Sequence, residues 1–375
     1  MSMDEPETRV PYEELTGCVA QIIEKHGVPG PRAEIAAQAL CHGDLTGVRS
    51  HGLFNLARLY LPLFADARVD PQADLDVVND TGAAVLVNAN RALGLWAASE
   101  AMDMAAERAR SHGIGLVSMH DCTHFGVAGF HSARAARHGM IGITASNCGR
   151  QRIARPPGGR AAMLGTNPFS VAAPAMDGHP FVLDMSTTVV PTGRIRSAAL
   201  AGDRIPEGWL ADDDGRAVTD PAAFDRGDAH LLWLGGRAET GAYKGYGLGL
   251  MVETLAALLP GAGLGPSPEA LHGDGSPGGR DDDIGVIALA ISPGTLRGTG
   301  GFQDDAERMF GVLAGGPPVN GESPVRYPGW HEAATAQENL RLGVPVPDWL
   351  LAEVSQAARE AGVPAPVPAT TEEVT

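Results

Sequence analysis

The first 70 residues carry apolar positions at helical spacing. One face of a first predicted helix, which Gly27 ends, consists of Leu15, Val19, Ile22 and Ile23. A second predicted helix starts at Pro31 and carries Ile35, Ala39 and Leu40. After a loop over residues 45–52, a third predicted helix carries Leu53, Leu56, Leu59 and Tyr60. Residues three and four apart share a helix face, and proline and glycine favour helix starts and ends, so we predict a helical region here.

The middle of the chain alternates between short apolar runs and longer amphipathic stretches. The short runs predict strands at 83–87, 115–119, 140–145, 169–173, 181–185 and 286–291. The longer stretches predict helices at 91–110, 128–137 and 248–259. A terminal helix at 347–361 is expected to pack on the first helix, and the glycine- and proline-rich segment 261–283 is expected to be a surface loop. This alternation indicates an α/β fold.

A Rossmann-type dinucleotide site is not supported by the glycine pattern. The only G-x-G-x-x-G match is Gly273-Asp-Gly-Ser-Pro-Gly278, which follows no predicted strand and leads into an acidic run. In a Rossmann fold that motif joins a strand to the helix whose N-terminus holds the pyrophosphate. The match is therefore rejected as a cofactor site.

The composition indicates a folded protein with an acidic surface. Of 375 residues, 44% are hydrophobic, which is enough for a core, and the length favours two lobes. The formal net charge of −17 argues against nucleic-acid and membrane partners. No apolar stretch is long enough to span a membrane, and the acidic N-terminus lacks the apolar segment of a signal peptide. Four scattered cysteines without a C-x-x-C motif favour a reducing compartment, so we expect a cytoplasmic protein.

Two histidines stand in similar local sequences, each beside a hydroxyl residue and close to a glycine. His124 lies in Thr123-His124-Phe125-Gly126, shortly after a predicted strand, and His51 lies in Ser50-His51-Gly52. Imidazole titrates near neutrality, a hydroxyl can orient it, and glycine lets a substrate approach closely. Both motifs suit proton transfer. Ordinary loop histidines, with Ser50 or Thr123 acting as helix caps, are the alternative interpretation.

Nine segments, in this order along the chain, resemble those of one enzyme family. They are Gly43-Asp-Leu-Thr-Gly-Val-Arg-Ser-His-Gly52, Thr123-His-Phe-Gly-Val-Ala-Gly129, Gly139-Met-Ile-Gly-Ile-Thr-Ala-Ser-Asn147, Pro157-Gly-Gly159, Leu164-Gly-Thr-Asn-Pro168, Asp184-Met-Ser-Thr187, Ile205-Pro-Glu-Gly-Trp209, Lys244-Gly-Tyr-Gly-Leu248 and Tyr327-Pro-Gly329. From about residue 12 to about residue 350, the chain resembles the malate/L-lactate dehydrogenase family of NAD(P)-dependent oxidoreductases. This family is unrelated to the Rossmann-type lactate dehydrogenases, and it includes ureidoglycolate, sulfolactate, diketogulonate and cyclic-imine reductases.

The resemblance implies the architecture. We expect the α/β fold of this family, in which a mixed, largely antiparallel sheet flanked by helices holds the cofactor and both termini form a helical domain. The expected boundaries are residues 1–75 with 330–375 for the helical substrate and dimer domain, and 76–329 for the NAD(P)-binding domain. The resemblance also implies a homodimer with its active sites near the interface.

The resemblance also implies roles for individual residues. His124 is expected to be the acid/base of hydride transfer, and His51 with Ser50 to orient the substrate or donate the proton. Substrate contacts are expected from Arg58, Asn55 and Thr166. Contacts to NAD(H) or NADP(H) are expected from Asn147, Gly165, Asp184, Met185, Ser186, Thr187, Lys244 and Gly245. No metal is expected.

The substrate pocket departs from the family pattern at one position. Relatives often have an arginine three residues after the glycine of the Ser-His-Gly motif, whereas this chain has Asn55 there. A guanidinium can bind a carboxylate through two parallel hydrogen bonds, and a neutral amide cannot replace it. Arg58 is then the candidate carboxylate anchor. The exchange at Asn55 favours a substrate larger or more amide-like than a simple 2-oxo acid.

Phosphate contacts are suggested by two further segments. Arg150, Arg152 and Arg155 form a small basic run after a predicted strand and could hold the 2′-phosphate of NADP(H), or they could be solvated loop residues. Pro157-Gly-Gly159 is a turn whose backbone N–H groups could meet phosphate.

The sequence therefore predicts an NAD(P)H-dependent oxidoreductase that acts at C2 of a 2-hydroxy/2-oxo acid or an amino/imino equivalent. One alternative is a metal-dependent hydrolase that uses His120, Asp121, His124 and His131, because their spacing is compatible with metal ligation. Another is a protein that binds a nucleotide without catalysis.

Overall fold

The computed structural model describes residues 7–298, 300–319 and 323–369. The start and the end of the predicted helical domain, residues 1–6 and 370–375, lie outside the described residues, and so does most of the acidic N-terminal stretch. Residues 299 and 320–322 of the predicted cofactor domain also lie outside them. Within the described ranges, no helix is both long and apolar enough to cross a membrane.

Twelve strands occur in the described ranges. In chain order, β1 to β12 are Glu7–Val10, Asp76–Asp80, Ala84–Asn88, Ile114–Cys122, Ile141–Ser146, Phe169–Met176, His179–Met185, Leu210–Ala211, Ala217–Val218, His230–Leu231, Ile284–Ile291 and Val344–Pro347. All six predicted strands are present within a few residues of their expected bounds. The strand pair β1 and β12, the edge strand β2 and the small sheet formed by β8, β9 and β10 were not predicted.

Seven strands form the central sheet, in the order β2-β3-β4-β11-β5-β6-β7. Only the β3–β4 pair is parallel among these neighbours, and every other pair is antiparallel. The expectation of a mixed, largely antiparallel sheet is therefore confirmed. Strand β11, which comes last along the chain among the strands of this sheet, lies between β4 and β5. This insertion is possible because Gly285 passes so close to the carbonyl oxygen of Ala256 that a Cβ would overlap it.

Twelve α-helices occur in the described ranges. In chain order, α1 to α12 are Tyr12–Lys25, Gly30–Leu45, Leu61–Ala65, Gly94–His112, Ala128–Ala136, Thr192–Ala201, Ala222–Asp225, Ala242–Glu253, Pro293–Arg297, Gly301–Ala314, Trp330–Leu342 and Asp348–Ala361. Helices α4 and α5 pack on one face of the sheet, and α2 packs on α4. The segment after α8 covers the other face. As predicted, α12 packs on α1.

Two helix predictions need correction, both at π-helical turns. The predicted third helix starts at Phe54, close to the expected position, but it is not regular: residues Leu56–Tyr60 form a π-helical turn, and α3 follows it. The predicted helix at 248–259 begins earlier, with α8, and continues into a second π-helical turn, Thr254–Leu258. A π-helical turn holds an extra residue per turn, so it changes which side chains face inward, and such turns are frequent at functional sites. Sequence periodicity assumes regular helices and misses this shift.

The main hydrophobic core runs through both predicted domains. One continuous cluster of buried side chains contains Leu15 and Leu350 from the terminal helices together with Val87, Met119 and Ala288 from the sheet. The terminal helices therefore stabilise the sheet directly. The division into two domains stays a prediction.

Candidate active site

Several strands of the central sheet begin or end at the same edge of the sheet, the edge that runs across the strand ends. Strands β4, β5 and β7 end there, at Cys122, Ser146 and Met185, and β11 begins there at Ile284, opposite Cys122. Because neighbouring strands run in opposite directions, the loops after β4, β5 and β7 meet the loops before β6 and β11. These loops border a cavity of about 1280 Å³, which is more space than the roughly 300–1000 Å³ of a typical ligand pocket.

His51 and His124 face each other in this cavity. Their rings are stacked, with centroids 6.0 Å apart and an angle of 19° between the planes. The Ser50 hydroxyl lies 3.0 Å from Nδ1 of His51. Burial, and then the neighbouring His124, lower the pKa of His51 to about 4. Burial also lowers the pKa of His124, although Asp281 partly opposes that effect. Both rings are therefore neutral at pH 7 in this protein.

Tyr60 and Gly126 hold His124 through its Nδ1 atom. The Tyr60 hydroxyl lies 2.8 Å from Nδ1 of His124, and the backbone N–H of Gly126 donates to the same nitrogen at 3.2 Å. Thr123 serves another purpose: its hydroxyl accepts from the N–H of Gly94 and so caps the start of α4. The capping alternative therefore holds for Thr123 and leaves His124 free to face the cavity.

The Ser50-His51 turn is fixed by two side chains. Asn55 donates its amide to the carbonyl oxygen of Ser50 at 2.9 Å. Asp44, which is buried, accepts the N–H of Leu53 at 2.6 Å, so it is Asp44 rather than Ser50 that satisfies this backbone donor. Burial raises the pKa of Asp44 to about 7, against the effect of this hydrogen bond. Ser50 is thus free to orient His51.

Arg58 lies on the cavity wall, but its guanidinium already has a partner. It makes two hydrogen bonds to the carboxylate of Glu353 on α12, at 2.7 and 2.8 Å. It also lies over the rings of Phe54 and Trp349, with 4.3 and 5.4 Å to the centroids. The predicted carboxylate anchor is therefore present at the cavity and neutralised by an acidic residue.

Of the predicted cofactor-binding residues 184–187, three line the cavity and the fourth supports its wall from behind. Asp184, Met185 and Ser186 line the cavity, as does Thr166. Asp184 accepts the N–H of Gly129 at 2.6 Å, and burial raises its pKa to about 6. Thr187 is buried and makes two hydrogen bonds to the carbonyl oxygen of Thr166. Thr187 therefore positions Thr166.

Asn147 lines the cavity while its side chain is occupied by the scaffold. Its amide oxygen accepts the N–H groups of Gly149 and Gly285, and its amide nitrogen donates to Gly263 and Glu253. The buried Glu253 also accepts from Asn167 at 2.8 Å. This network connects the loop after β5, the loop before β6 and the start of β11. Glu253 and Asn167 were missed by sequence reasoning, since nothing in their local sequence indicates burial or partners.

Several other predicted residues lie off the cavity wall. Within the described ranges, the wall does not include Asn55, Gly165, Thr187, Lys244 or Gly245. Lys244 is exposed in the first turn of α8, and Gly245 packs on the backbone of Leu234. Gly165 packs on Cys148, where a Cβ would clash. The assignment of Asn55 to the substrate and of the other four residues to the cofactor stays a prediction.

The three arginines of the basic run lie in different surroundings. Arg155 is buried and pairs with Asp213 at 2.6 Å, whereas Arg150 is exposed and lies 3.4 Å from Asp283. Arg152 forms an isolated backbone bridge with Gly278. None of the three is on the cavity wall in the described ranges. The run therefore does not form one phosphate-binding cluster.

The four residues of the hydrolase alternative do not form a metal site. His131 is buried in the core, where Nε2 donates to the carbonyl oxygen of Phe125 at 2.8 Å and Nδ1 accepts from Ser99 at 2.9 Å. His120 and Asp121 line a separate, smaller pocket. Within the described ranges, no three His, Cys, Asp or Glu side chains are grouped for metal ligation.

The cavity suits a nicotinamide cofactor with a small substrate. It is large, and beside the histidines it presents the carboxylate of Asp184 and the hydroxyls of Ser186 and Thr166, which can bind ribose and carboxamide groups. Its volume exceeds that of a small substrate alone.

Comparisons with known proteins agree with this geometry. A sequence model of the malate/L-lactate dehydrogenase family matches residues 10–355. This chain belongs to that family. It is 31% identical over 362 residues to the malate dehydrogenase of Pyrococcus abyssi, covering 96% of this chain and 97% of that one. It is 32% identical over 290 residues to the Delta(1)-pyrroline-2-carboxylate/Delta(1)-piperideine-2-carboxylate reductase of Pseudomonas putida, covering 77% and 81%.

The solved structures show the same fold. The malate dehydrogenase from Entamoeba histolytica superposes with a TM-score of 0.87 at 26% identity, covering 96% of this chain and all of that one. The fold expectation is confirmed, and the chain is an NAD(P)H-dependent oxidoreductase.

The pH dependence of the free energy of unfolding tests whether the buried His131 is neutral in the folded protein. Burial lowers the pKa of His131 from 6.5 to about 3. Between these values the unfolded chain binds a proton that the folded chain does not, so acid removes the contribution of His131 to stability. We expect the stability advantage of the wild type over His131→Gln to shrink as the pH falls from about 6.5 to 3, by up to about 1.4 kcal/mol per pH unit.

The measurement is urea unfolding of both proteins across this range. Asp44 and Asp184, whose raised pKa values act in the opposite direction, are present in both proteins and cancel in the difference. A difference that does not change with pH would contradict the neutral, fully bonded His131.

Proposed function

We propose that this protein transfers a hydride between a nicotinamide cofactor and C2 of a 2-hydroxy/2-oxo acid or of an amino/imino equivalent. The observation that carries the proposal is the pair His51 and His124, which face each other in one cavity beside Asp184 and Ser186. The named activities of the relatives, a malate dehydrogenase and a reductase of cyclic imino acids, support both substrate classes. These classes share a carboxylate beside the carbon that accepts the hydride.

His124 is the proposed acid/base. The bound cofactor supplies or accepts the hydride, and His124 gives or takes the proton on the substrate oxygen or nitrogen through Nε2, the nitrogen that Tyr60 and Gly126 leave free. A substrate carboxylate in the cavity brings negative charge close to both rings. It therefore raises the pKa values that burial lowers, so substrate binding itself favours the protonated His124.

His51 and Ser50 are the proposed orienting pair. The Ser50 hydroxyl contacts Nδ1 of His51, so Nε2 of His51 remains available to a substrate oxygen. Gly193, in the first turn of α6, lies against Ser50. Ser50 and His51 thus fix where the substrate lies relative to His124.

The first prediction concerns His124. His124→Ala is expected to leave a folded protein that still binds reduced cofactor but loses at least about a hundredfold in kcat, the range of a general acid/base contribution. The measurement combines a steady-state assay with NADH and NADPH, against 2-oxo acids and cyclic imino acids, and a cofactor titration by fluorescence. That panel also decides between the two cofactors and the two substrate classes.

His120→Ala is the matched control for this variant. His120 lies four residues earlier, at the separate smaller pocket, so its removal is expected to leave kcat unchanged. Near-normal turnover by His124→Ala would remove His124 from the mechanism.

Arg58 is the proposed carboxylate anchor, with Glu353 as its competitor. A substrate carboxylate and the Glu353 carboxylate would use the same two donor groups of one guanidinium. The pair is partly exposed, with 37% of each side chain accessible, so exchange of one carboxylate for another does not require burial of a free charge. The amide nitrogen of Asn55 already donates to the carbonyl oxygen of Ser50, and a neutral amide cannot replace a guanidinium as a carboxylate anchor.

This competition predicts opposite effects of two substitutions. Arg58→Ala is expected to raise KM for a 2-oxo acid by at least about tenfold, because a charge-assisted bidentate contact is lost. Glu353→Gln keeps the shape but removes the competing charge, so it is expected to lower KM. Steady-state kinetics of both variants provide the test. Equal changes in the same direction would indicate that the pair only holds α12 in place.

We also propose a homodimer. Exposed apolar side chains form a stripe along the second half of α8 and the π-helical turn after it, on the side away from the sheet. They are Leu250, Met251, Leu255, Leu258 and Leu259. Contiguous exposed apolar surface of this kind is typical of protein–protein contacts. A second copy of this chain would bury the stripe, which lies in the predicted cofactor domain and not in the helical domain where the dimer contact was expected. A reducing, cytoplasmic location is consistent with the four cysteines, which are all free thiols.

The dimer proposal predicts that Leu258→Asp yields monomers. A charge placed in a buried apolar contact is strongly unfavourable, so light scattering should give half the molar mass of the wild type. Leu271→Asp is the matched control, since Leu271 is equally apolar and exposed, 65% against 58%, but lies in the 261–283 segment. A monomeric wild type, or a Leu258→Asp variant that stays dimeric, would contradict this interface.

A further inference from the structure

Tyr60 is the only side chain within hydrogen-bond distance of the His124 ring in the described residues. Its hydroxyl lies 2.8 Å from Nδ1, and the two rings meet edge to face with centroids 5.8 Å apart. Tyr60 itself has no exposed surface. No sequence motif indicated this contact, because Tyr60 was predicted only as an apolar residue of a regular helix.

The π-helical turn Leu56–Tyr60 gives Tyr60 this direction. It ends at Tyr60, and the same turn carries Arg58, whose side chain reaches outward to Glu353 on α12. One turn therefore presents the proposed substrate anchor to the cavity wall and a phenol to the back of His124. Burial, and then the charge of Asp281, raise the pKa of Tyr60 well above its usual range, so the hydroxyl stays protonated.

The hydrogen bonds at Nδ1 define the state of the ring. A backbone N–H can only donate, so the contact from Gly126 makes Nδ1 an acceptor and places the proton of the neutral ring on Nε2. When His124 is protonated on both nitrogens, Nδ1 carries a hydrogen that needs an acceptor. The same hydrogen remains on Nδ1 after the doubly protonated ring has given its Nε2 proton to the substrate. Gly126 cannot accept it. The Tyr60 oxygen can, after rotation of its hydroxyl.

We infer that Tyr60 is a positioning residue for proton transfer: its oxygen accepts a hydrogen bond from the Nδ1–H of His124 while Nε2 exchanges a proton with the substrate. Tyr60 does not touch the substrate. This role rests on the proposed acid/base function of His124. The Tyr60 oxygen adds the acceptor that the ring needs when Nδ1 carries a hydrogen. The other titratable groups facing His124 are His51, on the turn that precedes Gly52, and Asp281, which Arg68 neutralises through a 2.5 Å ion pair.

The test is Tyr60→Phe, which keeps the ring and removes only the hydroxyl. For the reduction direction, kcat is expected to fall by at least about tenfold, as for a lost hydrogen bond to a charged group, with KM unchanged. Without its acceptor the protonated ring is less favourable, so the pKa of His124 falls. The loss of kcat with rising pH should then begin about one pH unit lower than in the wild type.

Tyr327→Phe is the matched control. The Tyr327 hydroxyl is also an internal donor, to the carbonyl oxygen of His179 at 2.6 Å, but it lies in the cluster around Phe310. It should lower the melting temperature without moving the pH profile. Nitrogen NMR of ring-labelled histidine supplies a direct readout, since the His124 signals should change in Tyr60→Phe and stay in Tyr327→Phe.

Two results would overturn the inference. One is a Tyr60→Phe enzyme with wild-type kcat and pH profile. The other is a loss of kcat with an unmoved pH profile and an unchanged His124 signal, which would give Tyr60 a structural role only. If His124→Ala loses activity while Tyr60→Phe does not, only the role of Tyr60 fails. If His124→Ala keeps its activity, the proposed function fails with it.

Discussion

The antiparallel insertion of β11 between β4 and β5 is the constraint on which the site depends. Because β11 runs opposite to both neighbours, the ends of β4 and β5 lie beside the start of β11. That register brings the His124 loop, the Asn147 loop and Asp281 to one edge of the sheet. Gly285 permits it by allowing close contact with Ala256, and the amide of Asn147 fixes it by accepting the N–H of Gly285.

Around this edge, most buried polar side chains serve the scaffold, and few face the cavity. Glu253 and Asn147 join three loops, Thr187 holds Thr166, and Asp44 holds the turn that carries His51. A buried polar group without a partner is costly, so each of these contacts also restricts the loop it joins. The two histidines keep one ring nitrogen each without a protein partner among the described residues. This difference separates the proposed reacting groups from the side chains that hold the loops.

Much of the fold could be predicted from the sequence because apolar periodicity reports regular elements. It located six of the seven strands of the central sheet, all except β2, and the helices α1, α2, α4, α5 and α12. It failed where geometry departs from regularity, as at Leu56–Tyr60, or where pairing is long-range, as between β1 and β12. Local motifs likewise drew attention to His51 and His124, which the fold brings together, while their roles stay a proposal. The partners Tyr60, Glu253 and Glu353 have no local signal, since they are defined only by what the folded chain places beside them.

The central claim is that this sheet edge holds the cofactor and substrate between the two histidines and the Asp184–Ser186 segment. The most direct measurement is a crystal structure with reduced cofactor and an unreactive 2-oxo acid analogue such as oxamate. The account predicts a nicotinamide ring beside Asp184 and Ser186, with Nε2 of His124 about 3 Å from the analogue's oxygen. A cofactor bound at another edge, or a His124 ring turned away from the analogue, would contradict it.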